Sequence, residues 1–388
     1  MRILLGTHHL EIRAGSELFN AELAHALRAR GNDVALFTFF KGELAAQIEA
    51  HGIPVFDPDD TSVIARFMPE IIQTCHSPCA HFLRSIVPDV TRVHAMLGVI
   101  PPLEAPPLDA GVFSLGLAVS EEVVDQVKRA SFGRDVEVAV FRNWFDDAAV
   151  VATRAAVLHW PRRVAVISNH IAPELIDALT VLEAAGDVLV DYFGIQRKSV
   201  VVDGVLLGQY DLIISIGRTS LLAAACGIPC IMADIHGSDG LLTVDNLNLV
   251  RNCNFSGRLT RQAITSAHLK EEIEKIGSCD LDQLRNRVTA EYSLRARVDW
   301  LLLRYEALLA DQRDAANFPR KLATFSAPGE GLVHAEITTE VRKLREQLAT
   351  AQRQIDARQS IRGSIKSIYA ETRNLGQLLQ KSIRSLFD

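Results

Sequence analysis

The sequence predicts an α/β protein built from two successive doubly wound domains, followed by a helical tail. Three observations lead to this fold class. Strand-like apolar runs alternate with helical stretches from the start of the chain, the same pattern begins again after Trp160-Pro161, and a segment with heptad spacing lies near the end. Alternating strands and helices favour parallel sheets that carry helices on both faces.

The first forty residues predict a strand–helix–strand unit. Residues 2–5 are a short apolar strand, and a polar loop that contains glycines follows at residues 6–15. Ser16 can cap a helix whose apolar side chains recur at helical spacing, and the apolar residues 34–40 predict the second strand. Two strands joined by a helix pair in parallel, so this unit starts a parallel sheet.

The remaining elements follow from the same periodicities. The first domain has further strands at residues 53–56, 71–74, 91–95, 115–119 and 136–141, with helices at 43–51 and 121–130. The second has strands at residues 164–168, 188–193, 211–216 and 230–234, with helices at 173–185, 219–226 and 281–311. We therefore place one domain at residues 1–158, a second at 159–313, a linker at 314–333 and the tail at 334–388.

Composition narrows the class of protein. The chain has 388 residues and a net charge of −6, which argues against a nucleic-acid partner. Its six cysteines form no CxxC pair, and no segment is apolar and long enough for a signal sequence or a membrane span. We expect a cytoplasmic protein without a cofactor. His8, His9, His76 and His94 follow predicted strands, but their spacing fits no metal-ligand pattern, so we predict no metal site.

Two strand-to-helix junctions are candidate phosphate sites. The loop that ends at Gly15-Ser16-Glu17 leads into the first helix, although an ordinary strand–helix turn explains it equally. At Gly217-Arg218-Thr219-Ser220 a buried strand ends and a helix begins. Hydroxyls in a first helical turn beside a guanidinium suit a phosphate, and the alternative for Arg218 is a solvated surface charge.

Several short motifs together resemble retaining family-four glycosyltransferases, which have the two-lobed Rossmann-like GT-B fold. Residues 14–17 are similar to the GGxE loop of that family, 118–121 to its VSE strand end, and 141–146, which include Asn143, to the turn between its lobes. Residues 217–229 are similar to its GRTALEAMACGxPV stretch, and Asp234, Gly237 and Gly240 follow as they do there. The similarity covers about residues 1–310 and leaves the tail outside.

The resemblance implies which residues serve the site. His94 takes the place of a histidine near the donor sugar, with a buried core histidine as the alternative, and the substrate-binding set is Gly15, Ser16, Glu17, Asn143, Gly217, Arg218, Thr219, Ser220, Asp239 and Gly240. The sequence departs from the family at the two glutamates that bind the ribose, where it has Ile214 and Leu222. It also lacks the arginine expected within residues 168–171. The glutamate motif is therefore degenerate.

The leading hypothesis is a glycosyltransferase that moves a sugar from a nucleoside-diphosphate donor, bound by the second lobe, to a glycan or lipid-linked acceptor, bound by the first. The lost glutamates favour an alternative, a non-catalytic GT-B scaffold or assembly subunit that acts through its tail. A sugar-nucleotide epimerase shares the fold and is a third alternative.

The tail has a composition of its own. Residues 334–388 contain ten Lys/Arg and six Asp/Glu, a net charge of +4, so the rest of the chain carries −6 − 4 = −10. Residues 337–355 have heptad spacing, which predicts a coiled coil and a homo-oligomer. Residues 361–386 form an apolar stripe opposite basic side chains, which suits peripheral contact with the inner face of a membrane. A charged helix packed on the protein is the alternative.

Overall fold

The computed structural model describes residues 1–99, 102–104, 113–129, 137–151, 160–194, 197–198 and 200–316, with side chains as far as residue 311. All of the predicted tail, and the predicted linker from residue 317 onward, lie outside these residues. The fold class is confirmed, because the described residues form two α/β lobes, each around its own sheet.

The first lobe holds strands β1–β7 and helices α1–α5. In chain order they are β1 Arg2–Leu10, α1 Gly15–Ala29, β2 Asp33–Lys41, α2 Glu43–Ala50, β3 Val55–Phe56, α3 Thr61–Phe67, β4 Ile71–Thr74, α4 Ser77–Ile86, β5 Thr91–Met96, β6 Leu115–Ala118, α5 Glu121–Arg129 and β7 Glu137–Val140. The strands form a parallel sheet in the order β3-β2-β1-β4-β5-β6-β7. The order reverses between β1 and β4, where parallel α/β sheets open a crevice for ligands.

The second lobe holds β8–β12 and α6–α11. They are β8 Arg163–Ile167, α6 Pro173–Ala184, β9 Leu189–Phe193, α7 Gly204–Leu207, β10 Leu212–Ser215, α8 Gly217–Ala225, β11 Cys230–Asp234, β12 Gly237–Leu241, α9 Leu247–Val250, α10 Ser266–Glu274 and α11 Leu281–Tyr292. The sheet order is β12-β11-β10-β8-β9, and β12 alone among these strands pairs antiparallel. Apolar clusters cover both faces of this sheet.

The last described helix, α12 (Leu294–Ala316), returns to the first lobe. Its Val298, Leu301 and Tyr305 are fully buried in the same apolar cluster as β1 and α1. The Tyr305 hydroxyl donates to Gln73 Oε1 of β4 at 2.7 Å, so the buried phenol is hydrogen-bonded as its burial requires. The chain therefore passes between the lobes twice.

Three local expectations were wrong. The segment from residue 6 is a continuation of β1 to Leu10, because the apolar strand β2 supplies backbone partners as far as Lys41. Ser16 does not cap α1, which starts at Gly15 after Ala14. Helix α8 starts at Gly217 rather than at Thr219. Strand β12 and helices α3, α4, α7, α9 and α10 were not among the predicted segments.

Candidate functional site

The two lobes contact each other through side chains at the start of α8 and on α1. Arg218, in the first turn of α8, pairs with Glu22 of α1, and both side chains are about four-fifths buried. The Trp144 indole, fully buried in the turn between the lobes, donates from Nε1 to the same Glu22 carboxylate at 2.8 Å. The Arg218 guanidinium also lies 5.8 Å from the centre of the Trp144 ring. Arg218 therefore faces the other lobe and not bulk solvent.

A second set of contacts joins the lobes farther along the same junction. Arg258 of the second lobe forms a two-point ion pair with Glu122 of α5, at 3.1 Å and 2.6 Å. Asn143 donates from Nδ2 to Asn254 Oδ1 at 3.0 Å. Among the predicted substrate-binding residues, Asn143 thus contacts the second lobe directly. These contacts bring the ends of the two sheets to the same cleft between the lobes.

The start of α8 is shaped by glycine and by apolar neighbours. Gly217 has φ +58°, a left-handed backbone that favours glycine, and its N–H donates to Phe255 O at 2.9 Å. Thr219 is half-buried, whereas Ser220 is fully buried with its hydroxyl beside the Cys230 thiol. Helix α8 has no side-chain N-cap. Gly217, Arg218 and Thr219 therefore lie at the junction, and Ser220 points into the core.

The two positions where the family has glutamates are core positions here. Ile214 and Leu222 are 1% and 6% exposed, and each belongs to an apolar cluster of the second lobe. Neither side chain can accept a hydrogen bond from a ribose hydroxyl.

Asp239 and Gly240 lie on β12, and their contacts are with other residues of the second lobe. The Asp239 carboxylate accepts from the Thr260 N–H at 2.8 Å and from the Thr260 hydroxyl at 3.1 Å. Gly240 has φ +76°, and a Cβ there would lie 2.5 Å from a carboxylate oxygen of Glu272. None of these contacts of Asp239 and Gly240 involves Arg218 or Glu22. Their predicted role in substrate binding remains a prediction.

The first lobe contributes the start of α1. Gly15 is exposed with open space around it, and Ser16 donates to Glu17 Oε2 at 3.0 Å. Glu17 is 1% exposed, and its other oxygen pairs with Nε2 of His9 at the end of β1. A carboxylate in the first turn of a helix is favoured by the helix dipole. Gly15, Ser16 and Glu17 are thus brought together with His9, which the sequence did not link to them.

Two further histidines lie nearby in the first lobe: His76 follows β4, and His94 lies in β5. His76 accepts from the His8 N–H at 2.9 Å on Nδ1, and its ring stacks on His9 with centroids 6.2 Å apart. His94 is fully buried, with Nδ1 2.9 Å from the Thr74 hydroxyl, and burial lowers its pKa to about 3. The neutral His94 ring is closed to solvent here, so its catalytic role remains a prediction. No group of three or more metal-ligating side chains is placed to hold a metal ion within the residues that the structure describes.

Glu104, between β5 and β6, is a functional candidate that the sequence did not indicate. Its pKa is raised to about 7, mainly by burial and also by the charge of Glu17, while Arg258 of the second lobe lowers it. A carboxyl influenced by both lobes lies close to the gap between them. No sequence motif marks Glu104, because its environment comes from residues far away in the chain.

The raised pKa of Glu104 predicts a pH-dependent stability. Folded Glu104 holds its proton between about pH 4.5 and 7 whereas the unfolded chain ionises there, so stability is lost as pH rises through this window. We expect Glu104→Gln to exceed the wild type by about 3 kcal/mol in free energy of unfolding at pH 8 and to match it near pH 4.5. Urea denaturation at both pH values measures this. The exposed Glu271→Gln is the control, and equal shifts for both variants would contradict the assignment.

No protein-family model and no curated protein match this sequence. Solved structures do match its fold. The Anabaena protein Alr3699/HepE, in complex with UDP, has a TM-score of 0.56 and 15% identity over 79% of this chain and all of its own. Sucrose-phosphate synthase from Thermosynechococcus elongatus has a TM-score of 0.54 and 13% identity over 80% of this chain and 99% of its own. The lipopolysaccharide outer core galactosyltransferase WaaB has a TM-score of 0.50 and 11% identity over 81% of this chain and all of its own.

At these identities the similarity establishes the fold. It is the two-lobed GT-B fold expected from the sequence. A shared fold does not by itself determine function.

Proposed function

We propose that this protein is a glycosyltransferase that moves a sugar from a nucleoside-diphosphate donor to a glycan or lipid-linked acceptor. The observation that carries the proposal is the position of Arg218. It lies in the first turn of α8 at the carboxyl end of β10, where parallel α/β sheets bind ligands, and it faces the other lobe through Glu22. Among the described residues, its Nη1 is buried without a hydrogen-bond partner. A diphosphate would supply that missing acceptor.

The chemistry follows from this placement. The bond between the anomeric carbon and the diphosphate oxygen breaks, and negative charge grows on the leaving diphosphate. A guanidinium beside the start of a helix stabilises that charge. The fold neighbours crystallised with UDP support a nucleotide-sugar donor.

The non-catalytic scaffold is retained as a second candidate on one observation. Ile214 and Leu222 are buried and apolar, so the site lacks the two carboxylates that bind the donor ribose in the resembled family. Ribose recognition by an active enzyme would have to come from other residues.

A thermal-shift screen separates the two candidates. Purified full-length protein is heated with UDP-, GDP-, TDP- and ADP-sugars at millimolar concentration. A ligand that binds only the native state raises the melting temperature, and saturation at 100 times Kd adds about 2.7 kcal/mol. We expect at least one of these donors to raise the melting temperature by several degrees and to be consumed in transfer assays. Binding without turnover would favour the scaffold, and no shift with any donor would reject both donor binding and the enzyme.

The remaining parts of the proposal concern partners. A homo-oligomer formed through residues 334–388 and peripheral membrane contact stay proposals that rest on the tail sequence, and a cytoplasmic location stays a proposal that rests on the cysteine spacing. Within the described residues, no helix combines the length and apolar character that crossing a membrane demands.

A further inference from the structure

The chain crosses between the lobes at two segments that lie side by side, residues 142–147 and 291–297, which we call the hinge. The Phe145 N–H donates to Tyr292 O at 3.1 Å, and the Leu294 N–H donates to Phe145 O at 3.1 Å. The Phe145 and Tyr292 side chains are both buried in an apolar cluster of the second lobe. A ligand that contacts side chains at both segments therefore acts on the connection between the lobes.

Positive charge is concentrated at the hinge. Three arginines from separate parts of the chain lie near Tyr292, namely Arg142 after β7, Arg251 after α9 and Arg297 in the first turn of α12. Arg142 donates to Glu121 of α5 at 3.0 Å and to Arg251 O at 3.1 Å. Burial lowers the pKa of Arg297, as does the positive charge of Arg142, so these two guanidiniums are close enough to repel each other. The start of a long helix adds the positive end of its dipole.

The neighbouring carboxylates do not neutralise this charge. Glu291 lies 3.6 Å from Arg251 and 3.2 Å from Arg287, so one carboxylate is shared by two guanidiniums. The Arg297 side chain has neither an ion pair nor a hydrogen bond within the part of the chain that the structure describes. Across these contacts four guanidiniums meet two carboxylates, which leaves an excess of positive charge beside the hinge.

Two N–H donors of this arginine cluster have no acceptor. The Nε atoms of Arg251 and Arg297 are buried, and neither has a hydrogen-bond partner among the described residues. A buried N–H without an acceptor is costly, and a bound ion is one way in which proteins satisfy such a group. Both side chains are only half-buried, so they also remain in contact with solvent. Guanidinium groups bind phosphate oxygens through paired N–H donors, so this cluster suits a phosphate group.

We propose that Arg251 and Arg297, beside Arg142, form a binding site at the hinge for a phosphate-class oxyanion, either free phosphate or the phosphate group of a monoester. The hinge site shares no contact with Arg218 and does not rest on the proposed function. A bound anion joins Arg251 of the second lobe to Arg297 of α12, whose next residue Val298 packs in the core of the first lobe. Occupancy therefore restrains the movement of one lobe relative to the other.

Thermal-shift titrations of the full-length protein test the hinge site. The probes are inorganic phosphate and glucose 6-phosphate, with sodium chloride at equal ionic strength as the reference. We expect a saturable rise in melting temperature with at least one probe, and a dissociation constant weakened about tenfold or more in Arg251→Ala and Arg297→Ala. Arg297→Lys keeps the charge but loses the paired donors, so we expect an intermediate affinity and a guard against loss of the fold. Arg285→Ala, which removes a partly exposed arginine of α11 that pairs with Asp282 at 2.9 Å, is the matched control and should bind as the wild type does.

Two further measurements separate the hinge site from other effects of phosphate. The shift should persist in Arg218→Ala, because that residue belongs to the junction with Glu22 and not to the hinge. Amide hydrogen exchange in residues 143–147 and 292–297 should slow about threefold or more when phosphate is added to the wild type, and should not change in Arg297→Ala. General stabilisation by phosphate through exclusion from the protein surface would act on every variant equally.

The outcomes are distinct. A stronger effect of inorganic phosphate identifies the free ion as the ligand, a stronger effect of glucose 6-phosphate identifies a phosphate monoester, and either result supports the hinge site. No shift beyond that of sodium chloride with either probe, equal affinities in the wild type, Arg251→Ala and Arg297→Ala, or loss of the shift in Arg218→Ala would overturn it. The donor screen tests the proposed function separately, and neither result decides the other.

Discussion

Trp144→Ala is expected to lower the free energy of unfolding by about 3–5 kcal/mol, the cost of truncating a buried aromatic side chain. The indole has no exposed surface and packs on Phe19 with ring centroids 4.3 Å apart. Its N–H donates to Glu22 at 2.8 Å, so the variant also removes a hydrogen bond from a partly buried carboxylate. Because Trp144 lies in the turn between the lobes, both lobes should lose stability together. Guanidinium denaturation followed by far-ultraviolet circular dichroism measures the change.

Trp160→Ala is the matched control for that experiment. Trp160 is half-buried and also donates from Nε1, to Asp187 O at 3.0 Å, but it belongs to the edge of the second lobe alone. We expect a clearly smaller loss of stability from this variant. Equal losses for the two tryptophans would show that Trp144 has no special place at the junction.

Arg218→Ala is expected to weaken binding of the nucleotide-sugar donor about 10- to 100-fold. One or two charge-assisted hydrogen bonds to phosphate account for a loss of this size. The variant should also lose some folding stability, because the Arg218–Glu22 pair is about four-fifths buried, although Glu22 keeps its bond from Trp144. Isothermal titration calorimetry with the donor found in the thermal-shift screen gives the dissociation constants of the wild type and of Arg218→Ala.

Two variants control the Arg218 experiment. Arg163→Ala removes a half-exposed arginine that pairs with Asp191 at 3.7 Å, and we expect donor binding to be unchanged. Glu22→Gln removes the carboxylate that competes with phosphate for Arg218, and we expect binding to be equal or tighter. Unchanged binding in Arg218→Ala would reject this residue as a phosphate ligand.

Local periodicity in the sequence predicted most of the fold. Apolar runs marked the strands of both sheets, and helical spacing marked helices such as α1, α6 and α8, because these patterns reflect which face of an element is buried. The wrong expectations occurred where polar residues occupy regular structure. Thr7, His8 and His9 look like a loop, yet they continue β1 because a long neighbouring strand supplies their backbone partners.

The sequence by itself located the two strand-to-helix junctions only approximately, since β1 extends to Leu10 and α8 starts at Gly217 rather than at Thr219. Only the tertiary structure decided which charges meet there. Glu22 and Arg218 are 196 residues apart, and no local pattern pairs them. The same holds for the burial of Glu17 beside His9 and for the raised pKa of Glu104, which depend on solvent exclusion by distant segments. Desolvation and charge pairing are properties of the packed chain, whereas periodicity is a property of each segment.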